Sequence, residues 1–147
     1  MIPVKPGELV IAGNKNKIQI FELNSKKLKV IIDINRNIYW YPSTVLCMMN
    51  KKCLCVGGND KITIIDVYNK NIFNDIEVKG DIRCLYKLND NIFLARRDND
   101  ILQWKIDEYI LINLNIKENT HDKNVQEIIG LNDSIICCAD DFTIKIW

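Results

Sequence analysis

Short apolar runs, each broken by a polar turn and followed by an alternating run, recur along this chain. Four such segments align. They are Leu9-Val-Ile-Ala-Gly-Asn-Lys-Asn-Lys-Ile-Gln-Ile-Phe21 and Leu54-Cys-Val-Gly-Gly-Asn-Asp-Lys-Ile-Thr-Ile-Ile65, then Ile92-Phe-Leu-Ala-Arg-Arg-Asp-Asn-Asp-Ile-Leu-Gln-Trp104 and Ile135-Ile-Cys-Cys-Ala-Asp-Asp-Phe-Thr-Ile-Lys-Ile-Trp147. The closing residues Phe21, Ile65, Trp104 and Trp147 lie 44, 39 and 43 positions apart, and an isoleucine (Ile18, Ile62, Ile101, Ile144) stands three residues before each. Alternation on both sides of a polar turn is the pattern of a β-hairpin. Two further strand-like stretches separate successive hairpins. One set follows the hairpin, at 28–34, 72–78 and 109–116. The other precedes the next hairpin, at 45–49, 82–88 and 125–131. The repeating unit is therefore four short antiparallel strands in about 40 residues. No stretch carries an apolar period of 3.6, so the expected class is all-β.

The fourth unit carries motifs that narrow the class. Thr120-His121-Asp122-Lys123-Asn124-Val125 resembles the Gly-His motif of WD-repeat proteins, with its valine four residues after the histidine. The run Ala139 to Trp147 resembles the hairpin that ends in the family's signature tryptophan. The resemblance spans nearly the whole chain, with degenerate motifs in the first three units. It implies a β-propeller of four-stranded antiparallel blades, present as an incomplete ring of about three and a half repeats. The approximate units are 1–36, 37–80, 81–119 and 120–147. In the family a histidine, a hairpin-turn aspartate, a strand Ser or Thr and the tryptophan form a buried hydrogen-bonded set. His121, Asp141 and Trp147 match three of these and are expected to be structural. Cys137 or Cys138 stands in the Ser/Thr position. The aspartate that follows the tryptophan in the family is matched by Asp66, while Glu22 and Lys105 replace it elsewhere.

Composition excludes several functions. Lys plus Arg number 20 and Asp plus Glu 19, so a net charge of +1 gives no electrostatic reason for nucleic acid or an anionic membrane as partner. The apolar runs are far shorter than a membrane-spanning helix needs. The N-terminal residues show no basic segment followed by an apolar one, so no signal peptide is read. The expected location is the cytoplasm or nucleus, with the six cysteines reduced. Cys53 and Cys55 are two apart and share a strand face, and Cys137 and Cys138 are adjacent and do not. Neither spacing is that of a zinc site, and His121 is the single histidine. Gly57-Gly58 is read as a turn signal, too short for a nucleotide loop. The scattered asparagines suit turns. No cofactor, metal or catalytic residue is expected.

The function expected from the resemblance is a non-catalytic protein–protein interaction scaffold or adaptor. The alternative is a regulatory or substrate-receptor part of a larger enzyme, such as a ubiquitin ligase or kinase, whose catalytic portion lies elsewhere. Two clusters are candidate protein-binding sites. Tyr39, Trp40 and Tyr41 lie in the connection between the first two units, and aromatic residues with polar tips are frequent interface anchors. Arg96 and Arg97 precede a hairpin turn and Arg83 opens the innermost strand of the same unit. Together they are a candidate basic spot for an acidic or phosphorylated peptide. The first unit shows only a stub of its opening strand, at 2–4, and the fourth stops before its outer strand. The end units are then expected to expose apolar faces, with Ile18 and Ile20 at one end and Ile144 and Ile146 at the other. These faces would be met by the remainder of a longer protein or by self-association. The structural role given to His121 sets a first expectation: His121→Ala should cost about 1–3 kcal/mol in urea denaturation, by leaving buried polar partners unpaired.

Overall fold

The computed structural model describes residues 1–13, 17–34, 44–108, 110–117, 125, 127–130, 136–139 and 144–146. The described residues form thirteen strands and no helix. The first sheet is an antiparallel meander of β1 (Ile2–Lys5), β2 (Glu8–Gly13), β3 (Lys17–Glu22) and β4 (Lys27–Asp33). The expected stub at 2–4 is a paired strand, which gives this sheet four strands: Ile2 faces Val10 and Pro3 faces Leu9. Pro3 has no N–H to donate, and an edge strand tolerates it.

A six-stranded sheet follows, in the order β10-β9-β8-β7-β6-β5. Its strands are β5 (Val45–Met48), β6 (Cys53–Asp66), β7 (Asn71–Lys87), β8 (Ile92–Arg97), β9 (Asp100–Asp107) and β10 (Ile110–Lys117). It is two meanders joined through one strand. β7 pairs with β6 over 71–81 and with β8 over 82–87. β6 is itself a hairpin. The Val67 N–H donates to the Lys52 carbonyl at 3.0 Å, so the two ends of a 14-residue segment meet. Fully extended, that segment would reach about 45 Å. It folds back at Asp60, whose φ is 54°. The second sheet is thus β5, β6 and the start of β7, and the third is the end of β7 with β8 to β10. The fourth is β11 (Glu127–Gly130), β12 (Ile136–Ala139) and β13 (Ile144–Ile146). No sheet closes on itself among the described residues.

The period read from the terminators is repeated in the backbone. Two residues after Phe21, Ile65 and Trp104, the N–H groups of Leu23, Val67 and Ile106 donate to Gly7, Lys52 and Asn91 at 2.7, 3.0 and 2.7 Å. Asparagines close two equivalent turns. Asn50 Oδ1 accepts from the Lys52 and Cys53 N–H groups, and Asn89 Oδ1 accepts from those of Asn91 and Ile92. This is the local side-chain bonding that makes asparagine a turn residue.

Three apolar seams stack the sheets in series. Val10, Ile18, Ile20 and Ile32 of the first sheet pack with Leu54, Val56, Ile65 and Val67 of the second. Cys53, Cys55, Ile62 and Ile64 of the second pack with Phe93, Ala95, Leu102 and Trp104 of the third. Leu94 and Ile101 of the third pack with Val125 and Ile128. The terminators Ile65 and Trp104 face the preceding sheet, and Ile18, Ile62 and Ile101 face the following one. Ile65 and Trp104 are therefore buried, as are Ile18, Ile62 and Ile101. Phe21 has no described sheet before it and is only half-buried. Ile144 has no described sheet beyond it and is 70% exposed. The expectation that Ile18 and Ile20 lie on an open end face is corrected: both are buried against the second sheet. The open face of the first sheet is the opposite one, where Leu9, Phe21 and Leu28 are cross-strand partners and Ile11 and Ile31 flank Gln19. Ile144 and Ile146 are exposed as expected.

Two glycines are fixed by this packing. A Cβ on Gly57 would lie 2.5 Å from the Ile82 side chain and 2.8 Å from Val45. The residue is internal to β6, opposite Val45, so it marks a close approach and not the turn read from the sequence. Gly80 has a φ of 107°, which L side chains rarely adopt, and sits where β7 passes from the second sheet to the third.

Asp66, the residue after the second terminator, is fully buried and caps its turn. It accepts from the N–H groups of Tyr68 (2.7 Å) and Asn69 (2.9 Å) and from the Asn69 amide (2.8 Å), with the Lys52 ammonium at 3.6 Å. Burial pushes its carboxyl up, but the Asn69 and Tyr68 bonds and Lys52 outweigh it and hold the pKa below the ordinary value. At the equivalent positions Glu22 accepts from Ser25 Oγ at 2.7 Å, and the Lys105 ammonium donates to Asp107 at 3.1 Å.

Two measurements check this account. Ile62→Ala, in the middle seam, should cost about 2–5 kcal/mol in urea denaturation. Leu23→Ala, at an exposed turn, should stay within about 0.5 kcal/mol of the parent. The Asp66 carboxyl has a lower pKa in the folded state than in the unfolded chain. Its stabilising contribution is present above the unfolded value and is lost as pH falls through the folded one. The stability gap between the parent and Asp66→Asn should be widest near neutrality and narrow steadily on acidification.

Candidate protein-interaction site

The first strands of all four sheets converge on one cavity. Its volume is about 490 Å³, and its lining includes Ile2 from β1, Val45 and Leu46 from β5, Arg83 and Leu85 from β7, and Glu127 from β11. The sequence pattern explains the convergence. In each sheet the first strand is an edge of the meander, and the seams hold the sheets face to face. Four equivalent edges therefore meet in one place. Arg83 and Glu127 bring opposite charges to the cavity wall.

Of the candidate basic residues, Arg83 lines this cavity, with its side chain 49% exposed and its Nε donating to Asp81 at 2.7 Å. Its position follows from the turn before it. The Gly80 N–H donates to Asp60 Oδ1 at 2.8 Å, and a Cβ on Gly80 would meet the Arg97 side chain at 2.8 Å. The turn of the second sheet's hairpin is thus pinned beside the start of the third sheet's first strand.

Arg96 and Arg97 are neighbours on β8 and belong to opposite faces. Arg97 pairs with Asp100 at 2.6 Å. Arg96 is opposite Cys84 and Ile101, on the face packed toward the fourth sheet, and is only 2% exposed. Its Nε donates to the Asp98 carbonyl at 3.3 Å. Burial lowers its pKa, and the Arg83 charge lowers it further, while Asp98, Cys84 and Asp81 oppose that. The structure therefore brings Arg83 and Arg96 within each other's field and sends Arg97 to the other side. The sequence carried a signal for this split: Arg96 falls in step with buried Leu94 along the strand, and Arg97 with Ala95.

The aromatic candidates Tyr39, Trp40 and Tyr41 lie outside the described residues, as do His121, Asp141 and Trp147. The thiols of Cys47, Cys53, Cys55 and Cys84 are free. Cys53 and Cys55 share a face, as their spacing predicts, and join the middle seam. Burial pushes the Cys55 thiol well up, and pushes those of Cys47, Cys53 and Cys84 up less. These are inert apolar groups near neutrality. Among the described residues no three His, Cys, Asp or Glu side chains are grouped to hold a metal ion. Sequence reasoning missed Ile2, Cys84 and Glu127 as neighbours of Arg83. Their only signal was membership in the strand that precedes each hairpin.

No family model matches the chain, and no curated protein matches it. Its fold is similar to that of a chain in a solved structure described as the crystal structure of a mitotic checkpoint complex. The TM-score is 0.79 at 18% sequence identity, over 96% of this chain and 45% of that one. At that identity the likeness establishes the architecture and nothing about activity. The chain has an all-β fold of several antiparallel sheets and spans less than half the length of the solved chain it matches.

Proposed function

We propose that this chain is a stretch of a WD-repeat β-propeller that acts as a non-catalytic scaffold, binding acidic or phosphorylated peptides at the mouth of its central cavity. The observation that carries this reading is the meeting of four equivalent first strands at one cavity, with the sheets stacked around it through three seams. A propeller arranges its blades in this way about an axis. The terminators Phe21, Ile65 and Trp104, and Asp66 in the aspartate position, add the family's sequence period to that geometry. The similar solved chain belongs to a structure described as a complex, which fits a role in assembly.

Local charge supports the partner class. The Arg83–Asp81 and Arg97–Asp100 pairs each cancel. Arg96 donates to a neutral carbonyl. Arg83 stands half-exposed at the cavity wall with Arg96 held out of water near it, and guanidinium groups fit carboxylates and phosphates, while Glu127 on the same wall opposes them.

Labelled glutamate-rich and phosphorylated peptides, measured by fluorescence anisotropy, test the reading. The parent protein should bind them in preference to their uncharged counterparts. Arg83→Glu should weaken binding on the order of tenfold or more while leaving the melting temperature unchanged. Equal affinity for charged and uncharged peptides, or an unchanged affinity in Arg83→Glu, would remove the acidic-partner assignment.

A further inference from the structure

A one-residue bulge recurs in the last strand of each of the first two sheets. In the first, Ile20 faces Val30 and Phe21 faces Leu28, which leaves Lys29 as the extra residue of β4. In the second, Ile64 faces Asn74 and Ile65 faces Ile72, which leaves Phe73 as the extra residue of β7. A bulge of this kind re-aims a side chain. The backbone bonds from Leu23 to Gly7 and from Val67 to Lys52 likewise make Glu8 and Cys53 equivalent. In the middle seam Phe73 packs against the apolar cluster that holds Cys53, Ile64 and Ile106. In the first seam the same two positions carry Glu8 and Lys29, whose carboxylate and ammonium pair at 2.6 Å. A pocket of about 200 Å³ lies there, between the first and second sheets. Ile20, Val30 and Val67 give it an apolar wall, and Tyr68 and Lys70, both exposed, come from the turn after β6. Lys29 and Lys70 against Glu8 leave the lining with an excess of one positive charge. No residue is shared with the cavity where the first strands meet.

We propose that this pocket is a separate peptide-binding site, which takes one apolar side chain with a carboxylate beside it. The apolar side chain enters between Ile20, Val30 and Val67, in the place equivalent to that of Phe73 in the next seam. The chain's own filler is lost there, because Lys29 stands at the Phe73 position and turns to Glu8. The size of the pocket suits a single side chain, being below the roughly 300–1,000 Å³ of sites for larger ligands. Charge selects the neighbour. The Glu8 carboxylate is 7% exposed and already paired, so the groups left to meet a ligand are ammonium donors, and these fit a carboxylate. The site rests on the first seam alone and stands apart from the reading of the central cavity.

Fluorescence anisotropy on the full 147-residue chain tests the proposal. The probe is a dye-labelled hexapeptide of glycine and serine carrying one leucine followed by one glutamate. The parent should bind it at least about tenfold more tightly than a counterpart with alanine for leucine. Glutamine for glutamate should weaken binding about threefold, the scale of an exposed ion pair. Lys70→Glu, at an exposed turn, should weaken the probe severalfold with an unchanged melting temperature. Lys29→Phe combined with Glu8→Ala restores an internal filler and should weaken binding more than tenfold, with circular dichroism unchanged. Arg83→Glu should bind the probe as the parent does, which separates this site from the central cavity. A parent that binds none of the peptides, or binds all three alike, overturns the proposal. So does full affinity in both pocket variants, or loss of affinity in Arg83→Glu, since either result puts the peptide elsewhere.

Discussion

A β-sheet has two faces, and in this chain both faces are apolar. β6 shows the constraint most plainly. Cys53 and Cys55 serve the seam on one side, and Leu54 and Val56 the seam on the other. A sheet built this way loses on the order of 25 cal/mol for each Å² of apolar surface left in water. It is stable only between two neighbours. The serial stacking, the shared period and the convergence of first strands all follow from that one requirement. It also explains why the motifs can decay. Phe21, Ile65 and Trp104 differ in shape, yet each supplies a bulky apolar group on the same side of its sheet. The seam selects for volume and side, and several residue types meet that need.

Degeneracy has a local cost at Trp104. Its indole Nε1 is buried and has no hydrogen-bond partner among the described residues. On the same face of β8 stands Ala95, which has no hydroxyl to offer. The ring volume is used and its polar handle is not. Asp66 is the opposite case. It stands directly after the terminator, and its hydrogen bonds serve the turn beyond it, with the Lys52 ammonium beside them. The two residues show that packing and turn closure are served separately here.

Strand existence and spacing were legible in the sequence, because alternation and turn residues are local properties. Every hairpin described in the structure lies where the apolar runs and polar turns put it. What the sequence hid was sidedness. Ile18 and Ile144 occupy equivalent positions, yet one is buried and the other 70% exposed. Only the order of the sheets separates them. The same limit applies to the arginines. Arg83, Arg96 and Arg97 looked like one basic spot because they are close in sequence and register. Alternation on β8 divides Arg96 from Arg97, and the approach of the fourth sheet buries Arg96. Gly57 was misread for a related reason. Its small size answers to Ile82 in the next sheet's first strand, a contact that no local pattern announces.

β7 runs unbroken from the second sheet into the third, bending at Gly80. Its hydrogen bonds belong to both. Stacked repeats otherwise behave as a line of units coupled only through their interfaces, each able to open by itself. Here the two middle units share one continuous strand as well as a seam, so opening one frays the other. Amide exchange in the parent chain will then report a single cooperative block from β5 to β10, with the first and fourth sheets opening earlier and independently.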